Sequence, residues 1–387
     1  MTGTIWQNKD TLPADSGLAL DIGTTTLALS IRDLCTGEER LRCEKDNPQR
    51  MVAADVMSRI QAAMNGNGSF LQELVLGALK DPPSEIRKAV IVGNTAMLYF
   101  LLGKDPESLS HAPFSADDLF GRTEEILGIP SYLPPCMNAF VGADTTAAVL
   151  SSGMCDREEI ALLADIGTNG ELALWKEGTL YVTSTAAGPA FEGAGISQGS
   201  SAKRGAIDKV WTEEGQVRVH VIGEVPARSI CGSGLLDAVS VMLDLGILDE
   251  TGAMQEGRFL LSEDVSLTRK DIRSVQLAKG AIRAGIETLA HSSGTALTEI
   301  RTLYIAGAFG SHLSIESAVR TGLIPMLLRD RVTVLGNAAL RGAEEMLLDP
   351  GKIREAEAVA GRSKHVDLGG NPLFNQLFVE QMLFETP

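Results

Sequence analysis

The sequence predicts an α/β protein with two lobes, each built on a mixed sheet flanked by helices. The chain has 387 residues, which exceeds the usual size of a single hydrophobic core. A strand–turn–strand pattern occurs twice, over 17–30 and 160–175. A third strand, beginning at Thr302, runs into a glycine-rich turn and then a helical segment. The repeated pattern indicates two related lobes.

The same patterns indicate where the two lobes begin and end. We expect a flexible tail over 1–16, a first lobe over 17–150, a second lobe over 151–345 and a C-terminal segment over 346–387. The last segment is expected to pack back on the lobes, because its leucines and phenylalanines would favour aggregation if they were exposed. Within the first lobe, the proline-containing stretch 103–135 predicts an excursion on the surface.

Composition restricts the class of partner and the compartment. The chain carries 34 Lys and Arg against 50 Asp and Glu, a net charge of −16, so neither nucleic acid nor an anionic membrane surface is an expected partner. The N-terminal residues do not resemble a signal peptide and no long apolar run occurs, which favours a cytoplasmic protein. The five cysteines are widely spaced, so we expect no disulfide framework, zinc site or iron–sulfur cluster in this chain.

Both hairpins place the sequence Asp-Ile-Gly-Thr at the turn. The glycine lets backbone N–H groups approach phosphate oxygens, the hydroxyls add donors, and the aspartate suits a Mg²⁺ ion. One copy is more often a plain hairpin, but two copies facing each other across a cleft could hold one triphosphate. Asp21 and Asp165 are therefore candidate metal ligands and catalytic residues. The candidate phosphate ligands are Gly23, Thr24, Thr25, Thr26, Gly167, Thr168, Asn169 and Gly170.

This arrangement resembles the acetate and sugar kinase, heat-shock chaperone and actin superfamily, whose two ribonuclease-H-like lobes each contribute one such turn. The resemblance implies an actin-like ATPase fold around a nucleotide cleft. It also implies that Asp144, before a run of small residues, orients the hydrolytic water or a Mg²⁺-bound water; the alternative is a helix N-cap.

Two later segments extend the likeness. The small-residue stretch 184–196 includes Gly188, a candidate for contact with the nucleotide, and Glu192, which we expect to be a solvated loop acid, with a polar cleft residue as the alternative. The glycine turn after the third strand resembles the superfamily's adenosine motif; its candidate residues are Gly307, Ala308 and Gly310. In the first lobe, Asn94 and Thr95 follow a buried strand and are further cleft candidates, because ligands favour the carboxyl ends of such strands.

Six ordered motifs are more particular than the superfamily. They are N-P-Q with A-A-D-V-M-S-R-I, V-G-N-T-A-M, D-I-G-T-N-G-E, S-T-A-A-G-P-A-F-E-G-A-G-I, I-C-G-S-G-L-L-D and A-G-A-F-G. Together they resemble the ATP-dependent reductive activators of corrinoid proteins, over nearly the whole chain from Gly17 onward. The resemblance implies ATP and Mg²⁺ as cofactors, a corrinoid (cobalamin-binding) protein as partner, and assistance in reducing cob(II)amide to cob(I)amide. A homodimer is compatible with it.

The chain departs from the activators that it resembles in one respect, which concerns the source of electrons. Such activators ordinarily carry a ferredoxin-like iron–sulfur module, and this chain begins almost directly at the first phosphate turn. We therefore expect electrons to come from a separate ferredoxin or reductase. Two alternatives stay open: a small-molecule kinase of the same fold, and a nucleotide-regulated protein-interaction module.

Overall fold

The structure is a computed structural model that describes residues 4–6, 12–307 and 309–385. Its strands are β1 (Ser16–Ile22), β2 (Thr26–Asp33), β3 (Glu39–Asp46), β4 (Ile86–Gly93), β5 (Arg122–Ile126), β6 (Ile129–Leu133), β7 (Ala161–Ile166), β8 (Gly170–Lys176), β9 (Thr179–Thr185), β10 (Ala206–Glu213), β11 (Gln216–Val221), β12 (Ser229–Ile230), β13 (Arg258–Leu260), β14 (Ser266–Thr268), β15 (Thr302–Ala306), β16 (Val332–Gly336) and β17 (Ser363–His365). Its helices are α1 (Val56–Ala62), α2 (Gly68–Ala78), α3 (Thr95–Leu102), α4 (Glu107–Ser110), α5 (Ala143–Ser152), α6 (Gly232–Asp244), α7 (Arg269–Ser292), α8 (Ile315–Arg320), α9 (Ala338–Leu348), α10 (Pro350–Gly361) and α11 (Pro372–Glu380).

The chain divides into two compact units, and their boundaries differ from the expected ones. The first unit contains residues up to 158 together with 178–182 and 337–365. The second contains 159–177, 183–336 and 366 onward. Helices α9 and α10 therefore belong to the first unit, whereas the sequence placed the start of α9 in the second lobe. The reason is that α9 packs on β1, β4 and α5, all of which lie in the first unit.

The first unit is organised around a six-stranded sheet in the order β3-β2-β1-β4-β6-β5. Strands β1 and β2 form the antiparallel hairpin that carries the first Asp-Ile-Gly-Thr turn. Strand β4 runs parallel to β1, with Ile22 opposite Gly93, so both strands deliver their carboxyl ends to the same edge. Strand β1 is buried along almost its whole length, which explains why its sequence reads as a continuous apolar run.

Part of the expected surface excursion lies in this sheet. Strands β5 and β6 form a hairpin, and β6 pairs in parallel with β4 through Ser131 and Tyr132. Leu133 is fully buried, so the end of the 103–135 stretch is core rather than surface. The hairpin turns at Leu127 and Gly128, both with positive φ. A leucine is uncommon in that conformation, which is why the sequence did not indicate a hairpin here.

The N-terminal segment also departs from expectation where it is described. Ile5 is fully buried and Trp6 is 6% exposed. The Trp6 indole nitrogen donates to the carbonyl oxygens of Leu79 and Lys80, at 3.1 and 3.0 Å, just after α2. These residues are therefore core contacts of the first unit, although the sequence placed them in a flexible tail. Residues 1–3 and 7–11 of that predicted tail lie outside the described ranges.

In the second unit, β15 pairs in parallel with β7 and β16, and β7 pairs antiparallel with β8. The β7–β8 hairpin carries the second Asp-Ile-Gly-Thr turn. The long helix α7 packs on β8 and starts at a capping box in which Thr268 and Asp271 bind each other's backbone N–H groups. A small sheet in the order β11-β10-β12 lies ahead of α6, and β13 pairs with β14.

The last described residues are tied to the second unit. Helix α11 packs on α7. The Phe384 backbone N–H donates to Glu250 O at 2.8 Å, and Arg283 contacts the Glu385 carboxylate at 2.9 Å. The apolar side chains near the C-terminus are thus partly covered by α7.

Among the described residues, no helix combines the length and the apolar character needed to cross a membrane.

Candidate functional site

The first turn lies where several elements of the first unit end. Gly23 follows β1 and has no space for a side chain, because a Cβ there would lie 2.8 Å from the Thr26 carbonyl oxygen. Gly93 ends the neighbouring strand, and a Cβ there would lie 2.8 Å from Ile22 O. These two close approaches bring the turn beside the start of α3. The sequence-predicted residues Asn94 and Thr95 therefore lie next to the first phosphate turn.

Three helices of the first unit begin at this edge. Asn94 caps α3 by accepting from the Ala96 N–H at 3.1 Å. Helix α5 begins beside it, since a Cβ on its N-cap residue Gly142 would lie 2.5 Å from both Asn94 Cα and Gly93 O. Helix α9 begins at Asn337, whose side-chain amide donates to Asp21 Oδ2 at 3.2 Å. Helix N-termini present N–H groups and the positive end of the helix dipole, so this edge favours an anion.

The backbone carbonyl groups of the first turn are held by residues from the segment after β3. The Asn47 side chain donates to Gly23 O and its backbone N–H donates to Thr25 O, both at 2.8 Å. The Arg59 guanidinium donates to Thr24 O at 2.7 Å. Both residues occur in motifs that the sequence singled out, but no role was assigned to them. Their partners are backbone atoms, which leave no trace in residue identity.

The second turn has its own polar contacts. Gly167 N–H donates to Asn169 O at 3.0 Å, which closes the turn. The Thr168 hydroxyl donates to Glu192 Oε2 at 2.5 Å, so Glu192 is a polar partner of the second Asp-Ile-Gly-Thr turn rather than the solvated loop acid that we expected. Gly170 packs closely, because a Cβ there would lie 2.7 Å from Thr185 Oγ1.

The predicted adenosine segment lies directly beside the second turn. Gly307 has φ of +91°, and a Cβ on it would lie 2.7 Å from Asp165 Oδ1. Only glycine meets both conditions without strain. A Cβ on Gly310 would lie 2.7 Å from Ile305 Cγ2. Gly188 has φ of +79° and no atom within 4 Å of its Cβ position, so it borders open space. Ala308 lies outside the described residues.

An aromatic pair stands between these segments and α6. Phe191 and Phe309 stack with ring centroids 4.8 Å apart, and both are buried. Gly232, at the start of α6, fits against them, since a Cβ there would lie 1.9 Å from Phe191 O and 2.9 Å from the Phe309 ring. The sequence did not identify this pair, although each phenylalanine sits in one of its motifs. The stacking holds Phe309, in the predicted adenosine segment, against Phe191.

Metal ligands are sparse among the described side chains. Over the described residues, no group of three or more His, Cys, Asp or Glu side chains is gathered in a way that could hold a metal. Mg²⁺ is usually bound by one or two carboxylates, with waters and substrate phosphates completing its coordination. Each unit has one carboxylate at its Asp-Ile-Gly-Thr turn, Asp21 in the first and Asp165 in the second, and each by itself suits that mode of binding.

Asp144 lies in the first turn of α5 and accepts from the Thr145 N–H at 2.7 Å. Loss of hydration in its surroundings raises the pKa of its carboxyl group to about 6, and the hydrogen bonds from Thr145 oppose that rise. A carboxyl group with a pKa in this range can accept a proton from water near neutral pH. It does not act as the N-cap, which is Gly142.

We expect any nucleotide hydrolysis that depends on Asp144 to slow as the pH falls through about 6, because the protonated Asp144 carboxyl no longer accepts a hydrogen bond from water. Between about pH 4 and 6, the Asp144 carboxyl also holds its proton more often in the folded protein than in the unfolded chain. The stability contribution of Asp144 is thus fully present below its unfolded pKa of 3.8 and is lost as the pH rises through about 6.

The variant Asp144→Asn tests both statements. It should lose hydrolysis at every pH. At about pH 8 it should nevertheless melt at a higher temperature than the unchanged protein, and this difference in melting temperature should narrow towards about pH 4. Phosphate-release assays and thermal unfolding over that pH range measure the two effects. A difference in melting temperature that stayed constant over this pH range would show that Asp144 does not titrate as stated.

Family models cover almost the whole chain. One, described as the C-terminal domain of RACo, the ASKHA domain, matches residues 159–386, and another, described as the RACo middle region, matches residues 16–157. The chain belongs to the RACo family. Its fold is accordingly the actin-like ASKHA fold, with mixed sheets flanked by helices, which confirms the fold class and the family that the sequence predicted.

Individual proteins similar to this RACo-family chain are also named for the activation or reduction of corrinoid proteins. It is 31% identical to the corrinoid activation enzyme RamQ of Eubacterium limosum, over 95% of this chain and 70% of that protein. It is 25% identical to a [Co(II) methylated amine-specific corrinoid protein] reductase of Methanosarcina barkeri, over 96% of this chain and 77% of that protein. A solved reductive activator for corrinoid, iron–sulfur protein superposes with a TM-score of 0.86 at 32% identity, covering 96% of this chain and 66% of that one.

Proposed function

We propose that this chain uses ATP to activate a corrinoid protein, docking on it and assisting the one-electron reduction of cob(II)amide to cob(I)amide in a methyltransferase or O-demethylase system. The observation that carries the proposal is the likeness to the solved reductive activator over 96% of this chain, which includes both phosphate turns. The names of the two curated relatives support the same activity.

The first-unit residues have distinct roles in the proposed mechanism. The backbone N–H groups of Thr24, Thr25 and Thr26 would bind phosphate oxygens at the edge where α3, α5 and α9 begin. Asp21 would hold Mg²⁺ or its waters, with its carboxylate oriented by Asn337. Asp144 would orient the attacking water and accept its proton.

The second-unit residues would also contact the nucleotide in this proposal. Asp165 would hold Mg²⁺ or its waters, and Gly167, Thr168, Asn169 and Gly170 would contact phosphate. Gly307 and Gly310 would let the backbone approach adenosine, since neither has space for a side chain. When bound, Mg²⁺ neutralises charge on the triphosphate and so favours hydrolysis.

Nucleotide hydrolysis would be coupled to the corrinoid protein because the two nucleotide states of the activator bind this partner with different affinity. A partner that binds one nucleotide state of the activator better than the other is held before hydrolysis and released after it. The electron would come from a separate ferredoxin or reductase, and the activator's part would be to make the cobalt easier to reduce while the partner is held. We also propose that the activator works as a homodimer.

An anaerobic spectroscopic assay tests the function. A corrinoid protein in the cob(II)amide state is mixed with this chain, Mg·ATP and a reduced ferredoxin, and cob(I)amide is followed by visible absorbance. We expect cob(I)amide only in the complete mixture, and none when ADP replaces ATP. Phosphate release should also rise when the corrinoid protein is added.

The alternatives predict different results. A small-molecule kinase would transfer phosphate to a metabolite without any protein partner. A nucleotide-regulated interaction module would bind the corrinoid protein in an ATP-dependent way but form no cob(I)amide. Either result would contradict the proposed function.

A further inference from the structure

The geometry points to Asn47 and Arg59 as positioning residues that set the phosphate-binding conformation of the first turn by holding its three carbonyl groups. This inference rests on the proposed function, because it concerns how the same site recognises a triphosphate. It adds two residues, neither of which is itself expected to touch the nucleotide.

The first step concerns the direction of the turn's peptide groups. In a trans peptide unit the C=O and the N–H point in opposite directions. The carbonyl groups of Gly23, Thr24 and Thr25 are all bound by two residues of the segment after β3, Asn47 and Arg59, and we take the side of the turn on which these donors lie as its back. The N–H groups of the three peptide units, which belong to Thr24, Thr25 and Thr26, therefore point away from that side. Three successive N–H groups with a common direction form a suitable cradle for phosphate oxygens.

The second step concerns how rigidly Asn47 is held. It lies between the end of β3 and a 3₁₀ turn, Pro48–Met51, which its Oδ1 caps by accepting from the Gln49 N–H at 3.0 Å. That bond orients the amide so that its Nδ2 donates to Gly23 O. The side chain is fully buried, so little freedom is left for the turn to adopt another conformation.

The third step concerns Arg59. Helix α1 begins at Asp55, which caps it by accepting from the Ser58 N–H at 2.8 Å, and Arg59 lies on its buried face. The guanidinium is fully buried. Besides Thr24 O, it donates to Ala53 O at 2.9 Å and contacts Gln49 Oε1 and Met97 Sδ at 3.4 and 3.3 Å. A planar fork with several donors can meet these partners at once, whereas a lysine ammonium cannot.

The fourth step concerns charge. Arginine keeps its positive charge in proteins, and a fully buried charge has lost most of its hydration. An anion bound at the front of the turn would be attracted to it with little screening. Arg59 would thus act on phosphate twice, through the backbone that it orients and through its charge. Both effects depend on phosphate and neither depends on the adenosine group.

The test compares ligands with and without phosphate. Variants Arg59→Met, Arg59→Lys and Asn47→Ser are measured with Mg·ATP, Mg·ADP and adenosine by calorimetry, using the full chain. Arg59→Met should weaken Mg·ATP binding by about a factor of 30, and Arg59→Lys by a smaller factor because it keeps the charge but loses the fork. Adenosine binding should be unchanged in all three variants.

One mild substitution and one matched control separate the proposed role from a general loss of folding. Asn47→Ser keeps an N-cap oxygen for the Gln49 N–H but is too short to reach Gly23 O, so we expect about a tenfold loss of Mg·ATP affinity in a folded protein. Arg50→Ala is the matched control. Arg50 is an exposed arginine in the same segment, whose side chain contacts Asp46 at 3.4 Å. This control should bind Mg·ATP like the unchanged chain.

Steady-state hydrolysis adds a second readout. Positioning residues of this kind should raise the KM for ATP more than they lower kcat, since the attacking water is oriented by Asp144 rather than by the first turn. Equal losses of ATP and adenosine binding would overturn the inference, and so would normal Mg·ATP binding by both folded variants, Arg59→Met and Asn47→Ser. If the unchanged chain bound no Mg·ATP, the proposed function would fail together with the inference.

Discussion

The variant Asp165→Asn should bind Mg·ATP about a hundredfold more weakly than the unchanged chain and should show no measurable hydrolysis. Asparagine keeps the shape of the side chain, so its contact with Gly307 can be preserved, but it removes the negative charge that would attract Mg²⁺. Loss of one partner from a desolvated charge pair commonly costs about 2 to 5 kcal/mol. Isothermal calorimetry with Mg·ATP measures the effect directly.

Two controls make this result specific. Asp330→Asn removes an exposed acid of the same unit and should leave the affinity unchanged. Measurement with ATP in excess EDTA removes the metal, and the difference between Asp165→Asn and the unchanged chain should then disappear. Wild-type affinity for Mg·ATP in the variant would contradict the assignment of Asp165 to the metal.

The second large effect is expected on stability, from Gly342→Ala. A Cβ at Gly342 would lie 2.1 Å from the Ala147 carbonyl oxygen, where α9 crosses α5. The obstructing atom belongs to the backbone, so no side-chain rotation relieves the overlap and the helices must separate. We expect the free energy of unfolding of the first unit to fall by about 3 kcal/mol. Urea unfolding followed by circular dichroism measures this loss.

A glycine in an open helical position provides the control. Gly77 lies in α2, with no atom within 4 Å of its Cβ position. Gly77→Ala should be neutral or stabilise the protein by up to about 1 kcal/mol, because alanine has the higher helix propensity. If Gly342→Ala unfolded at the same urea concentration as Gly77→Ala, the close packing of α5 and α9 would not hold in solution.

The two Asp-Ile-Gly-Thr hairpins could be predicted from sequence because their signal is local. An apolar run, an aspartate, a glycine and a hydroxyl group within five residues specify a strand and a turn with few alternatives. The same holds for Gly307, whose strand and following helix are both visible in the sequence. These elements have the types and places that the sequence indicated.

The missed features depend on distant partners. Asn337 contacts Asp21 across 316 positions of sequence, and no local pattern indicates such a pair. Asn47 and Arg59 bind backbone oxygens, which every residue type possesses. The β5–β6 hairpin was missed for two reasons: Leu127 has an uncommon positive φ at its turn, and Pro130 is unfavourable inside a sheet. The proline is tolerated because β6 pairs with β4 only through the two residues that follow it.

The division of the first unit between distant parts of the chain affects its biosynthesis. Ribosomes release the N-terminal part first, and domains generally fold as units during synthesis. Here the strands of the first sheet emerge early, but α9, which covers β1 and β4 and supplies Asn337, belongs to residues 337–365. A nascent chain must therefore wait, with that apolar face uncovered, until most of the second unit has been translated. Chaperone binding during this interval should concentrate on the surface that α9 later occupies.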